Sequence, residues 1–94
     1  MPVGVMRIDL HLPGVNSLKG KRRIVQRLKA MIRNRYNLSV VEMDHQDLHR
    51  RAVIGVAGIS ASREILEEEM RGVLQLIDRQ KDCETMDRTI EYVE

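Results

Sequence analysis

The chain opens with strict alternation. Between Val3 and Leu12, the residues Met6, Ile8, Leu10 and Leu12 fall on one side, and Val5, Arg7, Asp9 and His11 on the other. A period of two belongs to a strand with one face on a core. The run "PGVN" then breaks it. From Leu18 the period becomes helical, with Ile24, Val25, Leu28, Met31 and Ile32 in one stripe. Opposite the stripe lie Lys19, Arg22, Arg23, Arg27, Lys29 and Arg33. Ser17 is a suitable N-cap, because its hydroxyl accepts from an otherwise unpaired backbone N–H. Gly20 is a poor helix former, but the first turn is where it costs least. Lys21 falls near the edge of the apolar stripe, where it either snorkels or turns back over the strand-end loop.

"NLSVVEM" predicts a second strand and "RRAVIGVAGIS" a third, joined through the polar "DHQDLH". Val53 to Val56 is apolar on both faces, as a central strand requires, and Gly55 and Gly58 mark close approach by a neighbour. Ser60 or Ser62 caps a second helix, with Glu64, Glu67 and Glu68 where the helix dipole favours negative charge. Its stripe is Leu66, Met70, Val73 and Ile77, with Ile65, Leu74 and Leu76 beside it. "QKDCETM" ends that helix. "DRTIEYVE" predicts a fourth strand, with Ile90 and Tyr92 set against Thr89, Glu91 and Val93. The order βαββαβ specifies an α+β, ferredoxin-like plan: a four-stranded antiparallel sheet with two helices on one face. The other face of the sheet has no helix to cover it. Without repeat or linker, residues 1–94 are expected to form one domain.

Composition narrows the core. There is no Phe or Trp, so the interior is aliphatic, with six Met as fillers. Cys83 stands alone and forms neither an intrachain disulfide nor a multi-cysteine cage. No apolar run approaches a membrane span and no secretion signal opens the chain, so a cytoplasmic setting without membrane contact is expected.

Charge says more in its distribution than in its total of +2. Residues 1–41 hold nine basic and one acidic side chain, whereas residues 42–94 hold seven basic and thirteen acidic. Between Asp9 and Glu42 there is no carboxylate at all.

Three blocks, "SLKGKR", "RNRYNLSVVEMD" and "QDLHRRAVIGVA", occur in order between Leu10 and Ser60. In sequence and spacing they resemble the YlxP-like family of small bacterial proteins of unknown function. The resemblance implies the same ferredoxin-like fold and no assigned catalytic residue. In many bacteria the family's genes lie beside those of translation initiation and ribosome maturation, which implies an association with RNA or ribosomes. Gly20 stands where relatives often carry an acidic or polar residue, which leaves this copy more basic.

The candidate site is therefore the basic helix face: Lys19, Arg22, Arg23, Arg27, Lys29 and Arg33, with Lys21 beside the backbone N–H groups of the helix start. Such a face is either a phosphate-binding surface for structured RNA or the ribosome, or a solvated surface balanced by the Glu-rich second helix. "PGVNSLKGK" lacks the spacing of a phosphate-binding Walker loop. Strands one and three carry no aromatic residue for stacking bases, so RNA contact is expected through phosphates and shape. The uncovered sheet face is expected to meet a second copy. An alternative is a homo-oligomeric interaction module without any nucleic-acid role, its basic helix docked on an acidic surface such as Glu64–Glu69 of another copy.

Other constellations read as structural. His45 and His49 span a predicted hairpin, where two imidazoles need not converge on a metal. Acidic neighbours raise the Cys83 thiol rather than activating it. Asp9 and His11 share a strand face without a nucleophile. Acylphosphatases have this size and fold, but their Q-G-V-x-F-R loop is missing, which makes phosphate chemistry the weakest reading. No catalytic residue, metal or cofactor is expected.

Overall fold

The computed structural model describes residues 1–44 and 48–94, the side chain of Asp44 excepted. Its elements are β1 (Val3–His11), α1 (Leu18–Arg35), β2 (Ser39–Asp44), β3 (Arg51–Ile59), α2 (Arg63–Asp78) and β4 (Glu84–Val93). The sheet order is β2-β3-β1-β4, antiparallel throughout. This is the ferredoxin-like arrangement that the pattern specified.

The alternation of β1 sends Met6, Ile8 and Leu10 into the interior, all fully buried. Beside them on the same face lie Ala52, Ile54 and Val56 of β3 and Val40 of β2. The helices close this face with Ile24, Val25, Leu28 and Ile32 from α1 and with Leu66, Met70, Val73 and Ile77 from α2. Each such aliphatic side chain stabilises the fold by roughly 1.5–3 kcal/mol through its removal from water.

Both helix starts are capped by serine. Ser17 is extended, and its Oγ accepts from Gly20 N at 3.1 Å. Between the two serines that could cap α2, the structure uses Ser62, whose Oγ accepts from Ile65 N at 3.4 Å. Ser60 Oγ accepts from Ser62 N instead and shapes the turn before it.

The expected close approaches are present. Met43 and Val41 lie over Gly55, and Leu38 lies over Gly58. A third joins the two helices: the ring end of Tyr36, just after α1, lies against Gly72 of α2, where a Cβ would collide with its hydroxyl.

β4 is longer than its sequence pattern predicts, because pairing with β1 begins at His11↔Glu84 rather than near Asp87. The register shifts between Asp9 and Leu10, opposite Met86. An extra residue in one strand breaks side-chain alternation while the backbone ladder continues. The period-two signal therefore starts only beyond Met86.

Candidate functional site

Charge placement on α1 decides what its surface can bind. Lys19, Arg22 and Arg23 are exposed, Lys29 is half-buried, and Arg33 is exposed with one guanidinium N–H on Val40 O at 2.8 Å. Among the described residues, none of these five has a carboxylate within 4.0 Å. Lys19 lies three and four residues before Arg22 and Arg23, and Arg33 follows them by eleven and ten, close to three full turns, so all four share one strip of helix surface. Lys29 lies at its flank.

Arg27, expected on the same arc, is engaged elsewhere. Its guanidinium makes a bidentate pair with Asp82, at 2.7 Å to Oδ2 and 2.6 Å to Oδ1. Those hydrogen bonds hold the Asp82 carboxyl below its ordinary range and raise the Arg27 guanidinium. The pair ties the middle of α1 to the loop between α2 and β4.

Lys21 requires a larger correction. The sequence pattern puts it at the edge of the stripe and beside the helix start, as an anion ligand. The structure buries it, with 1% of its surface exposed. Its Nζ donates to Leu48 O at 2.7 Å and lies 2.9 Å from Glu42 Oε2. The physical reason is helical spacing. Lys21 precedes Ile24, Val25 and Leu28 by three, four and seven residues, so it lies within the apolar stripe and not at its margin. Its stem follows the core, and its ammonium ends on β2 and on the chain just before β3. The signal available in the sequence was this spacing, together with Glu42 as the first carboxylate after a long gap.

The uncovered sheet face is divided in character. At one end Val3, Val5, Val41, Met43, Ala57 and Ile59 form an apolar surface, with a shallow depression of about 220 Å³ between Val5, Val41, Met43 and Ala57. At the other end, Asp9 Oδ1 lies 3.5 Å from Arg51 Nη2, and His11 Nδ1 lies 3.8 Å from Glu84 Oε2. Asp9 and His11 thus take different partners rather than each other.

The remaining candidates are structural in their surroundings. Cys83 is buried, and burial first, then Asp82, pushes its thiol above the ordinary value. Tyr92 is on the helix-covered side, with the Arg63 guanidinium 4.6 Å from its ring centre. Among the described residues, no three His, Cys, Asp or Glu side chains gather as a metal site. The spacing of His45 and His49 falls partly outside those residues. No described helix is long and apolar enough to cross a membrane.

The class defined by these features is a small ferredoxin-like α+β domain with a basic helical face and an open sheet face. The model of the family described as "Protein of unknown function (DUF503)" matches residues 3–90, and the chain belongs to that family. It is similar to the uncharacterized protein YlxP of Bacillus subtilis (strain 168). The two are 33% identical over 88 residues, which cover 93% of this chain and 96% of YlxP.

Proposed function

We propose that this protein is a cytoplasmic, non-enzymatic RNA-associated factor. It holds structured RNA, the ribosome included, by its phosphates through Lys19, Arg22, Arg23, Lys29 and Arg33. One observation carries the reading: an exposed helix face whose cations have no carboxylate partner among the described residues. Such a face gains affinity by releasing counterions from a polyanion. Arg supplies the bidentate geometry that phosphate oxygens accept. Both tyrosines are half-buried and occupied by protein neighbours, so recognition proceeds without base stacking. Binding of a short fluorescein-labelled RNA duplex, followed by anisotropy, tests this. For about four phosphate contacts, affinity should fall roughly 100-fold between about 50 and 200 mM salt. Arg22→Glu/Arg23→Glu should abolish it while leaving thermal unfolding unchanged. Salt-independent affinity, or full binding by that variant, overturns the reading.

A second reading, a homo-oligomeric module joined through the open sheet face with no nucleic-acid role, is favoured by the apolar end of that face. It is supported if a dimer forms and the RNA duplex is not bound.

A further inference from the structure

Among the described residues, nine large hydrophobic side chains are exposed, and five of them share one surface: Val5, Val41, Met43, Ile59 and Val93. All five project from the open side of the sheet. Contiguous exposed apolar surface of this kind marks a contact site. We infer that this face seats a second copy of the chain, sheet against sheet, around a two-fold axis along the strands between β1 and β3. The inference takes from the second reading only assembly through the sheet face, takes from the first the polyanion-binding faces of α1, and adds the arrangement.

Area and charge favour a second copy over a polyanion. Strands of nine, six, nine and ten residues, at about 3.3 Å per residue and about 4.8 Å between strands, make a face of about 540 Å². That projection is a little below the roughly 600 Å² per partner at the lower end of specific interfaces, before side-chain relief adds to it. Among the described side chains of this face, the carboxylates of Asp9, Glu84, Asp87 and Glu91 outnumber the cations Arg7 and Arg51. RNA would be repelled there.

Charge also selects the axis. An axis across the strands at Thr89 would set β4 against β4 and bring Glu91 of each copy over Asp87 of the other, and like charges facing each other are destabilising. An axis along the strands lays β4 over β2, which shows Ser39 and Val41 on this side. It also lays β1 over β3, so that Val5 meets Ala57 and Arg7 meets Gly55, the residue without a side chain. Two sheets packed in this way are about 10 Å apart and aligned. The helices then form the two outer layers. The basic faces of α1 point in opposite directions, so one dimer holds two separate polyanion segments.

The test is the mass in solution, measured by sedimentation without RNA. The chain should sediment at twice its 10.9 kDa mass. Val5→Asp and Val41→Asp, made separately so that one folding failure does not decide the outcome, should each give folded monomers. Arg22→Glu/Arg23→Glu and the α2 surface change Ile65→Asp should leave the dimer intact. A monomeric parent chain overturns both the inference and the homo-oligomer reading. A dimer that survives both sheet-face changes, or that dissociates in high salt or with the α1 changes, overturns the inference alone. Two short duplexes with different fluorophores should come into energy transfer with the dimer and not with the Val5→Asp monomer. Duplex binding without such transfer overturns the outward placement of the helices.

Discussion

Lys21 Nζ, in the first turn of α1, lies 2.9 Å from Glu42 Oε2 on β2, with the lysine side chain 1% and the glutamate 17% exposed. Together with the bond to Leu48 O, this pins the helix start to the β2 edge of the sheet and to the chain entering β3. Removing one member of a buried pair takes the partner charge from the other, a larger loss than the pair contributes as a whole. Lys21→Met and Glu42→Leu should each destabilise the protein by about 3 kcal/mol, whereas the double change should recover more than half of the summed loss. Urea unfolding of the four proteins measures this, and strict additivity would show that the two groups are not coupled.

The Arg27–Asp82 pair gives a pH signature. Because Arg27 holds the Asp82 carboxyl below its ordinary value of 3.8, the unfolded chain binds the proton more readily than the folded one. The contribution is fully present above 3.8 and is lost as pH falls through the lower folded value. Both side chains are about 40% exposed, so solvent screening limits it to about 0.5–1 kcal/mol. Asp82→Asn should lose this amount near neutrality and show less acid destabilisation than the parent in urea titrations between about pH 6 and pH 3.

Gly20 has room for a side chain. A Cβ there would meet Ser17 Oγ at 3.4 Å and Val15 Cγ1 at 3.6 Å, which are ordinary contacts. Gly20→Ala should therefore stabilise the protein by about 0.5–1 kcal/mol, through helix propensity and a less free unfolded chain. Ser17→Ala should cost about 1 kcal/mol by removing the cap. Thermal unfolding separates the two effects.

Gly72 is the opposite case, although it also lies in a helix. Its missing Cβ is the space filled by the hydroxyl end of Tyr36. Gly72→Ala should cost about 1–3 kcal/mol from overpacking despite the better propensity. In a Tyr36→Ala background the same change should become neutral or stabilising. A cost that persists there would place its origin outside this contact.

Much of the fold was legible because each element carries its own period. Met6, Ile8 and Leu10 mark a half-buried strand, and Ile24, Leu28 and Ile32 mark a helix, before any contact between them is known. The central position of β3 was readable from Val53 to Val56, apolar on both faces and now buried on both. The start of β4 was not readable, because a bulge at Met86 breaks alternation while backbone pairing continues.

The candidate site divides along the same line. That α1 has a basic outer face was determined by the sequence, since the spacing of Lys19, Arg22, Arg23 and Arg33 is local. Which cations remain available was decided by the tertiary structure. Arg27 meets Asp82, 55 residues away, and Lys21 meets Glu42 across the layer between helix and sheet. A periodic pattern reports the direction of a side chain relative to its own helix. The charge that waits at the end of that direction is supplied by another part of the chain, and only folding brings the two together.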